Sequence, residues 1–75
     1  TAMQPDGDEE HELHEIWTAV QTLPARQRDA VMLVYSEGLD HGEAADVLGC
    51  SESTVSWHLH EARKRLRTIL GREVA

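Results

Sequence analysis

The chain has 75 residues, a formal net charge of −7, one cysteine and no phenylalanine. That length makes one small domain, near the size at which a single core only just offsets chain entropy. An internal disulfide is excluded, no apolar run approaches the roughly 20 residues that span a bilayer, and no signal peptide is visible, so a cytoplasmic protein with no membrane partner is expected. The only aromatic residues are Trp17, Tyr35 and Trp57. The core must therefore be built from Leu, Val, Ile and Ala at helix–helix contacts, which favours an all-α bundle over a sheet.

In chain order, residues 1–7 lack periodicity and are expected to be a disordered tag or linker remnant. The domain proper is expected over residues 8–72. Leu13, Ile16, Trp17, Val20 and Leu23 then recur at helical spacing, and Asp8, Glu9, Glu10 and Glu12 crowd the first turns, where the helix dipole favours acids. This predicts a helix over about 8–23. His11 and His14 within it are three apart, which does not match the four-residue spacing of a zinc-protease motif, and no third ligand is evident. No metal site is expected there. His58 and His60, two apart on a helix, point to different faces and make no chelating pair.

Leu23-Pro24 marks the next boundary, since proline suits a first helical turn and disfavours helix in the residue before it. A second helix is predicted over about 24–37. Ala30, Val31, Val34 and Tyr35 form one apolar face with Met32 and Leu33 on its flank, so more than half of the circumference is apolar. Either both sides pack within the domain or one side meets another protein. Gly38 ends this helix.

Asp40 and Glu43 have the spacing of a capping box for a third helix, predicted over about 41–48. Gly49 follows its last apolar residue, where a left-handed conformation costs glycine least. Cys50 takes an apolar turn position and is expected to be buried and inert. Ser51 is the cap of a fourth helix, about 52–70, with Val55, Leu59, Ala62 and Leu66 as its apolar stripe. Two helices joined by a short glycine turn, with small Ala44 and Ala45 where the second must cross closely, form the helix-turn-helix pattern. No catalytic constellation is present, because Ser51, Ser53, Thr54 and Ser56 are accounted for as caps and surface donors. No phosphate-binding loop or other cofactor site is visible either.

The charge is bipolar. Residues 1–50 carry eleven acids against Arg26 and Arg28, whereas residues 51–75 carry five bases against Glu52, Glu61 and Glu73. The basic end can contact a few phosphates, but the acidic half repels a duplex, so a DNA reader that needs a tether is expected. In a helix-turn-helix the second helix enters the major groove with its early residues at base edges. Its outward positions here are Glu52, Ser53, Ser56, Trp57, His60 and Glu61, followed by Arg63 and Lys64. The serines can donate or accept, His60 can donate to guanine or phosphate, and Glu61 can accept from a cytosine amino group. Trp57 either lies against sugars or a thymine methyl or packs on the preceding helix. Arg63, Lys64 and Arg67 are the natural phosphate contacts, which position without specifying.

Leu23-Pro24, Arg26-Gln27-Arg28, Glu37-Gly38-Leu39, Glu43-Ala44-Ala45, Leu48-Gly49-Cys50-Ser51, Thr54-Val55 and the run Leu59 to Leu66 together resemble region four of bacterial RNA polymerase sigma factors. The extracytoplasmic-function (ECF) group is the nearest match. The resemblance covers about Leu13 to Leu70. It implies a four-helix, winged-helix-like domain that reads the minus 35 promoter element of double-stranded DNA while docked on the flap of the polymerase beta subunit. An anti-sigma factor is a further implied partner, with Met32 and Leu33 a possible surface for it or for polymerase. The isolated domain is expected to be monomeric. The sequence departs from the family pattern where basic residues are common: Ser56, His58 and Glu61 stand there instead. Two alternatives remain, a sigma-like decoy that binds a regulator and the effector domain of a LuxR-type regulator, the latter suggested by Thr54 to Leu59. An enzyme is the least expected class.

Overall fold

The computed structural model describes residues 7–72. Its elements are α1 (Gly7–Val20), α2 (Ala25–Val31) running into a π-helical turn (Met32–Ser36), α3 (His41–Leu48) and α4 (Glu52–Leu70). The longest helix, α4, packs against each of the other three. Its stripe Val55, Leu59, Ala62 and Leu66 is buried at the predicted spacing. Facing it are Ala19, Val20 and Leu23 from α1 and its exit, Ala30 and Val31 from α2, and Ala44 and Ala45 from α3. Ala30, Ala44 and Ala62 are almost fully enclosed. Methyl-sized side chains at these crossings let three helix axes approach α4 in a chain that has no phenylalanine to fill wider gaps.

The bounds of the first two helices differ from the sequence reading. Helix α1 already includes Gly7 and ends at Val20 rather than Leu23; residues 1–6 of the expected linker lie outside the described residues. After Val20 the chain tightens, with Thr22 N–H donating to the Ala19 carbonyl (3.0 Å) and Leu23 N–H to that of Val20 (3.1 Å). The Thr22 hydroxyl also donates to Ala19 O at 2.7 Å. Leu23 stays on the core through this turn, so its helical spacing was genuine although the helix had ended. Pro24 is the residue before α2, with extended ψ of 150°, rather than its first turn.

The second difference is the π-helical turn. Glu37 N–H reaches back five residues to the Met32 carbonyl (2.9 Å), and Leu39 N–H reaches Leu33 O (3.0 Å). The widened turn distributes the apolar run from Ala30 to Tyr35. Ala30 and Val31 are buried, Met32, Leu33 and Val34 are half-buried against the core, and Tyr35 is 57% exposed. Both sides of the second helix thus make contacts within the domain, although neither is closed.

The turn between α3 and α4 follows the sequence closely. Glu43 N–H donates to Asp40 Oδ1 (2.8 Å) and Asp40 N–H to Glu43 Oε1 (2.9 Å), completing the capping box. Gly49 takes φ 70° and ψ 39°, and Cys50 N–H closes on the Ala45 carbonyl at 3.0 Å. Cys50 is half-buried against the core. Arg26 Nη1 donates to the Leu48 carbonyl at 2.9 Å, so a side chain from the start of α2 satisfies the end of α3.

Candidate nucleic-acid interface

Because α4 buries Val55, Leu59, Ala62 and Leu66, the opposite side of its first three turns is presented outward. Ser53, Ser56, Trp57, His60 and Lys64 are all exposed there, at helical spacing on one face. Ser51 fixes the start of this face: its Oγ accepts from Thr54 N–H (3.1 Å) and lies 2.9 Å from Thr54 Oγ1 and 3.2 Å from Ser53 Oγ. Ser53 is therefore partly engaged with the cap. Trp57 is 57% exposed, its ring tilted beside that of His58 at a centroid distance of 5.3 Å. Packing on the preceding helix does not consume it.

The other predicted residues are arranged less simply. Glu61 and Lys64 face each other, Oε2 to Nζ, at 3.5 Å. Arg63 is half-buried and turns away from the outward face, its Nη2 donating to the Tyr35 hydroxyl at 3.4 Å. Arg67 is half-buried and also has an interaction partner. Met32 and Leu33 sit apart from the α4 face, on a separate shallow groove with Arg26, Asp29, Val47 and Leu48. The structure thus brings Ser53, Ser56, Trp57, His60 and Lys64 together, sets Glu61, Arg63 and Arg67 at the margins and leaves Met32 and Leu33 elsewhere.

Two participants, His41 and Tyr35, were not singled out from sequence. His41, half-buried at the start of α3, places Nδ1 at 2.9 Å from Ser56 Oγ. Glu52, an outward position of the sequence reading, lies over the same helix start, its Oε2 only 2.9 Å from where a Cβ on Gly42 would stand. Tyr35 holds Arg63 at the rim of an apolar groove of about 210 Å³, lined also by Ile16, Trp17, Val31 and Leu66. The helix-turn-helix pattern places the start of its first helix beside the first turns of its second, which was the available signal for His41. Nothing in the spacing pointed to Tyr35.

Electrostatically, the part of α4 that precedes Arg63 carries no Lys or Arg and does carry Glu52 and Glu61. Hydroxyls, an indole and imidazoles can exchange hydrogen bonds with base edges or phosphates. Fixed positive charge begins only in the helix's second half, where it can hold backbone phosphates.

Comparison with known proteins accounts for this architecture. The family "Sigma-70, region 4" matches residues 13–66. The chain belongs to that family, whose members are helix-turn-helix DNA-binding modules of sigma factors and not enzymes. This match separates it from the LuxR-type alternative. Among its relatives, it is 33% identical over 67 residues to the ECF RNA polymerase sigma factor EcfG of Rhodopseudomonas palustris (strain TIE-1), covering 89% of this chain and 37% of that protein. It is 42% identical over 57 residues to the RNA polymerase sigma factor FliA of Escherichia coli (strain K12), covering 76% of this chain and 24% of FliA. The FliA of Salmonella typhimurium is 40% identical over the same length. The chain thus spans about a quarter to somewhat over a third of these relatives. No solved structure gives a significant match. Among the described residues, no helix is long and apolar enough to cross a membrane.

Proposed function

We propose that this chain is the promoter-reading module of an ECF-type sigma factor, acting in transcription initiation in the cytoplasm. Helix α4 reads the minus 35 element in the major groove while the domain is held on the beta flap of RNA polymerase. The observation that carries this reading is the exposed α4 face of Ser53, Ser56, Trp57, His60 and Lys64, set by a capped, glycine-hinged turn in a chain of the region 4 family. Lys64, Arg67 and Arg63 hold phosphates, with Arg63 leaving Tyr35 to do so. Met32 and Leu33, in the groove between α2 and α3, are the polymerase-facing or anti-sigma-facing surface. Tethering by polymerase compensates for the shortage of charge on the reading half of the helix.

Selection from a random duplex pool by the full sigma factor with core polymerase tests this reading. Enrichment of one upstream element is expected, with Arg63→Ala plus Lys64→Ala weakening all sequences alike. A pool that emerges without any preferred sequence would overturn it. One observation favours a second reading, a sigma-like domain that binds a regulator: Glu61 and Glu52 stand beside the DNA-facing residues, and Glu61 already engages Lys64. That reading expects the empty selection.

A further inference from the structure

Ser56 is the one hydroxyl of the outward face whose partner lies on a different helix. Its Oγ is 2.9 Å from Nδ1 of His41, fifteen residues earlier on α3. His41 is half-buried, whereas Ser56 is exposed. The ring is thus held in the domain while the hydroxyl faces outward, and what the hydroxyl can offer depends on the ring. If Nδ1 carries no proton, it accepts the Ser56 O–H, and Ser56 has only lone pairs left for a ligand. If Nδ1 is protonated, it donates to Oγ, and the Ser56 O–H is free to donate outward. The two cases suit opposite base edges. Lone pairs accept from the amino groups of adenine or cytosine, whereas a free O–H donates to guanine N7 or O6 or to thymine O4.

We infer that His41 is a positioning residue that sets the hydrogen-bond polarity of Ser56 toward DNA, so that the base preferred opposite Ser56 changes when the ring gains a proton. The inference rests on the reading of α4 as the promoter-reading helix. Histidine is the side chain that makes this change between about pH 5 and 8, and the doubly protonated ring permits only the donor arrangement at Ser56. The charged and titratable groups around the pair are Asp40 and Glu43 at the capped start of α3, Glu52 over Gly42, and His60 one turn beyond Ser56. The carboxylates of Asp40 and Glu43 are engaged in the capping box, and that of Glu52 lies over Gly42, the residue after His41. His60 lies on the same outward face and is not a partner in the Ser56–His41 contact.

The test is the duplex selection of the full factor with core polymerase, run at about pH 5.5 and about pH 8. At the single position opposite Ser56, the preference between acceptor-bearing and amino-bearing bases is expected to shift by about fivefold, one net hydrogen bond's worth. His41→Phe should make that position insensitive to pH. A selected element whose composition at that position is the same at both pH values would overturn the inference and leave the promoter reading intact. If no sequence is selected at either pH, the promoter reading fails, and a second measurement still decides the contact. Nitrogen-15 spectra of His41 report its tautomer directly. The balance of its tautomers should change in Ser56→Ala, and an unchanged His41 there would overturn the inference.

Discussion

Two glycines in the helix-turn-helix show how one substitution can have opposite signs at neighbouring sites. Gly49 has φ of 70°, and a Cβ there would meet nothing within 4 Å. Its cost is therefore one of backbone conformation. Gly49→Ala should destabilise the domain by about 1–2 kcal/mol, the penalty of the left-handed region, with Gly49→Asn milder. For a domain of this size that lowers the melting temperature by about 4–8 °C per kcal/mol, readable by circular dichroism. Gly42 is helical, and its added Cβ would come within 2.9 Å of Glu52 Oε2, the far end of an exposed flexible side chain, and within 3.4 Å of Asp40 Oδ1, an ordinary contact distance. Glu52 can swing aside, so the gain in helix propensity wins. Gly42→Ala should raise stability by about 0.5–1 kcal/mol. Gln27 is a third case, 7% exposed with an Oε1 that finds no partner among the described residues. Gln27→Met, similar in volume, should stabilise by about 1 kcal/mol by removing a desolvated carbonyl, and urea denaturation would show a higher midpoint at unchanged slope.

At the scale of the elements, the termini of α3 and α4 carry chemistry that local sequence can specify. Asp40→Ala removes the acceptor for Glu43 N–H and leaves the Glu43 side chain without its reciprocal partner, so a loss of about 1 kcal/mol is expected in thermal unfolding. That locality is why the bounds of α3 and α4, the left-handed Gly49 and the buried stripe of α4 were legible in the chain. Each follows from residues within one or two turns. The end of α1 was misplaced because Leu23 continues the apolar spacing through a turn of three-residue hydrogen bonds, which periodicity alone does not distinguish from α-helix. The π-helical turn was illegible for a related reason. Six consecutive apolar residues, Ala30 to Tyr35, contain no phase from which a wider turn could be read. For the candidate site, the outward face followed from the stripe that opposes it. The engagements of Ser56 with His41, Arg63 with Tyr35 and Arg26 with Leu48 depend on how helices cross, and spacing along one helix does not encode them.

Across the whole molecule, the governing quantity is the placement of charge rather than its sum. The net −7 is concentrated ahead of α4, and on α4 itself the bases follow the reading residues instead of accompanying them. Lys64 is the exposed base on the outward face of α4, and Glu61 lies 3.5 Å from it. As an exposed pair, this contact adds little to stability, so changing it should alter association with DNA without unfolding the domain. Glu61→Gln frees Lys64 from a competing carboxylate and removes a charge that repels phosphate. Glu61→Lys adds a base one turn closer to the start of the helix. In polymerase-bound factor, both variants should bind promoter duplex more tightly, Glu61→Lys the more, because each added phosphate contact releases counterions. The salt dependence should register this independently of sequence: for one new contact, the slope of log K against log salt steepens by about 0.9. The gain should be similar on promoter and scrambled duplexes if Glu61 acts through charge. A gain confined to one base pair would instead assign Glu61 a direct base contact, and a loss of binding to cytosine-bearing sites alone would identify the carboxylate as an acceptor for the cytosine amino group. The measurement therefore separates two roles for a residue that lies at the margin between the parts of α4 proposed to hold phosphates and to read bases.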